Sequence, residues 1–379
     1  MARIVVGSYV VRFPVGGYLS WVLQWLVGFQ RLGHDVYFVE KACWPNACYD
    51  PSSDTMGDDC SYGVTMLASL LCRFGLNDRW CFVDAASTYH GIGRQRIEET
   101  LASADLFVDM GTHGSWLPEA ADTRVKVFAD GDPGYTQMRA ISQEEDLGAY
   151  DHFYTVGRNV GTDRSTVPTM GKAWRPMFDP VVVDLFPLRP MLAQAPFTTI
   201  MAWQSYGAIE YEGHVYGAKD LEFIRFIDLP RLTSMPLEVA LSGDHVPVER
   251  LQAAGWRVEN PLAMTATWDR FRDYLAESRG EFTVCKNFYV ATNSGFFSDR
   301  SAAYLASGRP VVMQDTGLNG HLPCGRGLFA VRSVEEAADA IAQIAGDYDQ
   351  HSRWAREIAR DHLDTSVVLR SFLGELGID

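Results

Sequence analysis

Apolar positions along the chain fall into short runs that switch repeatedly between strand-like and helix-like spacing. Arg3 to Val11 is valine-rich and predicts a buried strand. It leads through Arg12-Phe13-Pro14-Val15-Gly16-Gly17 into Leu19, Val22, Leu23, Leu26 and Val27, which share one helical face. Gly33 closes that helix and Val36 to Val39 predicts the next strand, completing a βαβ unit whose parallel sheet places ligands at the carboxyl ends of its strands. Further strands are expected at Leu106 to Val108 and Val125 to Ala129, with a helix around Met66 to Phe74.

The alternation breaks between about Met177 and Pro196, where repeated prolines stop both helix and sheet from propagating. It then resumes, with strands expected at Phe197 to Met201, Leu237 to Leu241, Trp256 to Val258, Glu281 to Cys285 and Pro310 to Met313. Asp347 to Leu376 reads as a final helical stretch lying across the junction. The pattern therefore predicts an α/β protein of two Rossmann-like sheets facing a cleft: residues 1–180, a linker over 181–196, 197–350, and a C-terminal helix over 351–379. The length of 379 residues agrees with two units of roughly 180 residues.

Charge narrows the partners. The formal net charge of −15 opposes binding to phosphate backbones or anionic lipid, so nucleic acid and membrane are excluded as main partners. Tyr18 to Phe29, the longest apolar stretch after the first strand, contains Gln24 and is too short to span a bilayer. The first apolar run is interrupted by Arg12 and Pro14 with no small-residue cleavage site, so a cytoplasmic protein is expected. The seven cysteines, at 43, 48, 60, 72, 81, 285 and 324, form no CxxC pair and no zinc-type spacing with histidines, and read as reduced thiols.

The sharpest local signal is Ser298-Asp299-Arg300 at the predicted start of a helix that ends at Gly308 before a strand. A capped helix N-terminus beside an arginine is a ready diphosphate site. Ala302 to Val312 resembles the donor-site helix and following strand of GT-B fold glycosyltransferases, and the first βα unit with Arg31-Leu-Gly-His-Asp-Val36 resembles theirs. The chain is more specifically similar to a poorly characterised group of glycosyltransferase-like proteins. That likeness rests on Asp130-Gly-Asp-Pro-Gly-Tyr-Thr-Gln137, Gly157-Arg-Asn-Val-Gly161, Ser278-Arg-Gly-Glu-Phe282 with Lys286, Phe297-Ser-Asp-Arg-Ser301 and Gln314-Asp-Thr-Gly317.

The resemblance implies a GT-B fold, a nucleoside-diphosphate sugar held mainly by the second half, an acceptor held by the first, and no metal cofactor. At the position where many retaining members carry a ribose-binding glutamate this chain has Ala303, which leaves the stereochemistry open. By position, Gly16, Gly17, Trp203, Lys219, Asp244, Lys286, Ser298, Asp299, Arg300, Asp315, Thr316 and Gly317 are candidate donor-binding residues, with Pro261 to Ala263 offering backbone groups to the base.

An inverting transfer needs a general base near the acceptor hydroxyl. His113, in the loop after the Leu106 strand, is the first candidate, Asp132 the second and His90 the third. Asp130-Gly131-Asp132 is read as a turn or acceptor-side element rather than a metal site. Trp21, Trp25 and Trp44 are considered for an acceptor pocket, with packing against the sheet the stronger reading for the first two.

A sugar transferase acting on a small-molecule or carbohydrate acceptor is the main reading. A nucleotide-sugar 2-epimerase-like enzyme and a nucleotide-sugar-binding protein with a decayed site are the alternatives. A dinucleotide-dependent oxidoreductase, suggested by Glu40 at the end of the second strand, fails because Gly16-Gly17 lacks GxGxxG spacing.

Overall fold

The computed structural model describes residues 1–42 and 44–378, so Cys43 lies outside the described residues. The N-terminal lobe carries β1 (Arg3–Gly7), β2 (Asp35–Lys41), a small hairpin of β3 (Cys48–Asp50) and β4 (Thr55–Gly57), then β5 (Trp80–Val83), β6 (Tyr89–Gly91), β7 (Leu106–Asp109), β8 (Val125–Asp130), β9 (His152–Thr155) and β10 (Trp174–Pro176). The order across its main sheet is β10-β9-β8-β7-β1-β2-β5-β6, parallel throughout except for the edge pair β5–β6. The second lobe carries β11 (Phe197–Ala202), the hairpin β12 (Ile209–Tyr211) and β13 (His214–Tyr216), then β14 (Leu237–Ser242), β15 (Arg257–Glu259), β16 (Gly280–Thr283), β17 (Val311–Gln314) and β18 (Leu328–Val331). Its sheet is wholly parallel in the order β15-β14-β11-β16-β17-β18.

Both sheets reverse their winding beside their first strand: β1 lies between β2 and β7, and β11 between β14 and β16. Crevices at such points collect ligands, so the loops after β1, β7, β11 and β16 are where chemistry is expected.

Period-2 alternation sorts the strand side chains into layers. Ile4 and Val6 face an inner core while Val5 faces an outer one, and in the second sheet Val311 and Met313 face the inner core while Val312 faces outward. The inner core is shared by both lobes. It runs from Leu19 to Phe29 on the first helix (Gly16–Arg31) to Phe271 and Leu275 on the helix Trp268–Glu277 and Leu369 to Leu373 on the last helix (Thr365–Glu375).

Two glycines permit these helix crossings. A Cβ on Gly16 would stand 2.5 Å from Phe271 Cβ, and one on Gly28 would stand 2.6 Å from Thr365 Cγ2 and Leu369 Cδ1. Gly28→Ala is expected to destabilise the protein, because overpacking costing about 1–3 kcal/mol is only partly offset by the roughly 0.5–1 kcal/mol that alanine gains over glycine in a helix interior, read as a lower denaturant midpoint at unchanged m-value. A midpoint equal to the parent's would dismiss the close crossing.

Three expectations change. The first strand stops at Gly7 rather than Val11, because the buried Glu40 carboxylate takes the amides of Val10, Val11 and Arg12 and bends the chain out of the sheet. The final helical stretch is broken: Asp364 ends a wide turn over Ala359–Leu363 and caps the last helix by accepting the Ser366 amide, while Val181 of the linker pairs there. Strands β5, β6, β9, β10 and β18 were not read from the pattern, being short or without alternation. Among the described residues the cysteines are unpaired thiols, and no helix is long and apolar enough to cross a membrane.

Candidate active site

The loop after β1 is pinned from below. Glu40, fully buried, receives Val10 N and Val11 N at 2.7 Å, Arg12 N at 3.0 Å and Arg12 Nε at 3.2 Å. Burial pushes its pKa up, while Arg12 and the amides oppose the shift. The pinned loop presents Tyr9, whose ring lies 5.0 Å from Tyr18, 6.1 Å from Trp21 and 6.3 Å from Phe13. The Arg12 guanidinium lies over the rings of Tyr9 and of Trp44, which is 46% exposed. Glu40 is thus a loop fastener with no face toward a ribose.

His113 is carried by a loop fastened in the same way. The buried Asp109 at the end of β7 accepts Gly111 N and Thr112 N on one oxygen, and Thr112 Oγ1, Gly114 N and Tyr150 OH on the other. His113 itself is exposed and left-handed, with φ 52°. Partial desolvation by the loop around it first, and Arg139 second, lower its pKa, which favours the neutral form a general base needs.

After β8, Asp130 is saturated by its own turn: Asp132 N and Thr136 Oγ1 bind one oxygen, Gln137 Nε2 and Thr155 Oγ1 the other. Gln137 in turn receives Gly134 N at 2.7 Å. The turn so held projects Asp132 across to the second lobe. There it receives Lys286 Nζ at 2.5 Å, Tyr206 OH at 2.7 Å and Tyr289 OH. Tyr206 stacks on Tyr135 at 3.9 Å, and Lys286 lies over its ring. Burial alone would raise the Asp132 pKa, but Lys286 and the phenols outweigh it and hold the carboxyl below the usual range. A carboxylate stabilised in this way is a weak base, which favours His113 for that role.

On the donor side, Lys286 follows β16 and Lys219 lies in the long connection after β11. Lys219 is half-buried, and among the described residues its ammonium has no hydrogen-bond or ion-pair partner. Burial first, then the nearby charges of Arg300 and Lys286, bring its pKa down to about 7. The crevice therefore holds Lys219 and Lys286 with Arg300 beneath them.

Arg300 itself is a correction to the sequence reading. Its guanidinium turns under the sheet, with Nε to Glu281 Oε1 at 2.7 Å, Nη1 to Ile200 O and Nη2 to Thr283 Oγ1, both at 2.9 Å. Its counter-anion is Glu281, which has no solvent exposure. The helix N-terminus beside it is also occupied from within: Ser298 Oγ accepts the Arg300 amide, and Asp299 supplies the negative charge that the helix dipole favours. Asp299 lies against Asp179, whose carboxylate receives the indole N–H groups of Trp21 and Trp25, and burial pushes both acids upward.

Other expected residues are engaged elsewhere. Trp203 is 4% exposed and packs on Phe223 in the outer core, leaving only its backbone near the cleft. Gly16 is buried in the helix crossing, whereas Gly17 faces open space. Asp244 is exposed beyond β14. Asp315 binds Arg332 at 2.8 Å and the amides of Gly317 and Leu318. The hydroxyl of Thr316 bonds to Phe296 O, and Gly317 O receives Asn159 Nδ2 and Arg164 Nη2 from the first lobe. The Gln314 to Gly317 and Gly157 to Gly161 blocks are therefore two sides of an interlobe staple.

Trp25 packs on Phe29 and Phe372 within the inner core that also holds the inward side chains of the sheet. His90 pairs with Asp84 on the edge strand β6, too far along the sheet from β1 to serve the cleft as a base. Tyr9, Tyr206, Tyr289, Glu281 and Asp179 were not singled out by sequence. Only Glu281 left a signal, a charged residue alternating with Thr283 inside a short buried strand.

No family model matches the sequence, and no curated protein matches it. Solved structures do match in fold. HepE of Anabaena in complex with UDP-glucose superposes over 100% of both chains with a TM-score of 0.59 at 11% identity. An alpha-glucosyltransferase in complex with UDP and a 13-mer DNA covers 99% of each chain at TM-score 0.57 and 10% identity. Sucrose-phosphate synthase of Thermosynechococcus elongatus covers 99% of this chain and 98% of its own at TM-score 0.54 and 13% identity. The chain has the GT-B fold, two Rossmann-like lobes facing one another.

Proposed function

We propose that this GT-B protein transfers a sugar from a nucleoside-diphosphate sugar to a small-molecule or carbohydrate acceptor. The observation that carries the reading is the cationic crevice at the ends of β11 and β16, where Lys219 lies unpaired beside Lys286 and Arg300. Arg300 is matched by Glu281 and Lys286 by Asp132, so Lys219, together with Lys286 once Asp132 lets go, is the charge that suits a diphosphate, whose charge grows as the glycosidic bond breaks. Lys219 and Lys286 stabilise that leaving group, so the transfer needs no metal at the diphosphate. Arg300, tied to Glu281, acts from below by fixing the crevice and adding field.

The acceptor lies on the first lobe over Tyr9, Tyr18 and Trp21, whose rings suit a sugar or an aromatic aglycone. His113 takes the proton of the attacking hydroxyl. Asp132 occupies Lys286 when the lobes are together and exchanges places with the diphosphate as donor enters. HepE and the alpha-glucosyltransferase were solved with UDP, which makes UDP-sugars the first donors to try. The acidic surface argues against a DNA acceptor for this chain, although that glucosyltransferase was solved with DNA.

Thermal shift with UDP, dTDP, GDP and ADP is expected to show stabilisation by one of them, about 2.7 kcal/mol at a hundredfold excess over Kd. Absence of a shift with all four overturns the donor site. Interconversion of UDP-sugars without acceptor would instead favour the epimerase reading. Affinity for the diphosphate is expected to be highest below pH 7. Above it Lys219 loses its proton in the free protein, and affinity falls by up to about tenfold per pH unit. Titration calorimetry from pH 6 to 9 checks this, and a flat profile removes Lys219 from the site.

A further inference from the structure

The edge of the N-terminal sheet holds a second cluster of chemistry-bearing groups, separate from the crevice. Cys60 stands at the N-terminus of the helix Ser61–Arg73, Asp84 directly follows β5, and His90 lies in β6 opposite Phe82. His90 Nε2 lies 2.9 Å from Asp84 Oδ2 and 3.7 Å from Cys60 Sγ, and the three donor atoms all lie within 4.8 Å of one another. Thirty residues separate Cys60 from His90, so no linear spacing announces the group.

The arrangement is aimed. Asp84 Oδ1 is occupied by Ala86 N at 2.9 Å and Thr88 N at 2.8 Å, which fixes the carboxylate and points Oδ2 at the imidazole. The Phe82 ring, 5.9 Å from that of His90, holds the imidazole against the strand. Cys60 is buried, whereas Asp84 and His90 keep part of their surface, which leaves an entry path from solvent.

Both contacts converge on one nitrogen, which makes only one strong hydrogen bond. With a proton it donates to Asp84 and meets Cys60 only through a sulfur that is a weak acceptor. Without one it accepts from the thiol but faces the carboxylate lone pair to lone pair. A divalent cation among the three reconciles them, because thiolate, neutral imidazole and carboxylate are then all lone-pair donors. Donor atoms around a tetrahedral zinc stand about 3.3–3.8 Å apart, so shifts of under about 1 Å complete the geometry.

We infer that Cys60, Asp84 and His90 form a binding site for a borderline-soft divalent cation of the zinc class, with the fourth position open to solvent. The thiolate and imidazole select against magnesium and calcium, which prefer all-oxygen sites. On binding, the thiol proton passes to solvent and a sulfur–metal bond forms, with no change of oxidation state. The ion clips the helix Ser61–Arg73 to the β5–β6 edge and takes no part in the reaction proposed for the crevice.

The full-length protein, stripped with a chelator, is titrated with Co²⁺ and then Zn²⁺. Wild type is expected to bind one equivalent of Co²⁺ with a thiolate-to-cobalt charge-transfer band in the near ultraviolet, displaced by one equivalent of Zn²⁺. Cys60→Ser is expected to lose that band and to bind Zn²⁺ at least about tenfold more weakly, and Asp84→Asn to keep the band with weaker binding. Circular dichroism checks that each variant is folded; if Cys60→Ser is not, His90→Gln carries the comparison through its loss of affinity. No band in wild type, or a band unchanged in Cys60→Ser, overturns the site.

Discussion

Lys219→Met is expected to bind the nucleoside diphosphate about ten- to a hundredfold more weakly than the parent, the size of one lost charge-assisted hydrogen bond. The variant is also expected to be at least as stable as the parent, which separates a lost contact from a damaged fold. The reason lies in the position of the ammonium, desolvated and repelled by Arg300 and Lys286. In the unfolded chain the same group titrates near the ordinary lysine value, so the native state disfavours its charged form. That penalty is present in full below pH 7, fades as the folded group loses its proton above pH 7, and is gone above the unfolded value. The stability advantage of Lys219→Met should accordingly be larger at pH 6 than at pH 9. Calorimetric titration with UDP and thermal melts at the two pH values measure both effects. Unchanged affinity, or an advantage that grows with pH, contradicts the assignment.

His113→Ala is expected to lower turnover by about a hundred- to ten-thousandfold while leaving UDP affinity within about twofold. The histidine sits on the first lobe, on a loop whose geometry is set by Asp109, and none of the charges that act on it comes from the donor crevice. Its lowered pKa places the acid limb of the rate profile below the usual histidine range, since the base is lost only when protonated. UDP release from the donor in the presence of sugar and phenol acceptors, followed from pH 5 to 8, gives the profile. A variant that turns over at the parental rate removes His113 as the base, and Asp132 then becomes the group to test.

The fold was largely legible, and the reason is local. Val5 alternating with Ile4 and Val6, the helical face from Leu19 to Val27, and the proline-rich crossing before Phe197 are properties of short windows, the first two set by burial on one side and the last by what proline does to the backbone. Lys286 could be proposed from sequence because it follows a predicted strand, and strand ends in a parallel sheet are where ligands go, whereas Lys219 lies beyond the β12–β13 hairpin that no alternation announced. What each side chain does there was not legible. Arg300 was expected to meet a diphosphate at a helix start, yet its guanidinium is taken by Glu281 on the neighbouring strand, and that pairing depends on which face of β16 is inward. Asp132 meeting Tyr206, Tyr289 and Lys286, and Gly317 meeting Asn159 and Arg164, join segments more than 70 residues apart across the lobes. No window of sequence contains both partners.

The inner core bears on how the molecule comes apart. Gly16 and Gly28 seat the first helix directly against the helix Trp268–Glu277 of the second lobe and the last helix, Thr365–Glu375, and apolar side chains of both lobes fill one continuous volume. Neither lobe can be removed without uncovering the other's packed face. The protein is accordingly expected to melt in a single calorimetric transition, with van't Hoff and measured enthalpies in agreement, whereas independent lobes would give two. Cleavage in the proline-rich crossing should leave the fragments associated, held by buried surface rather than by the peptide bond that once joined them.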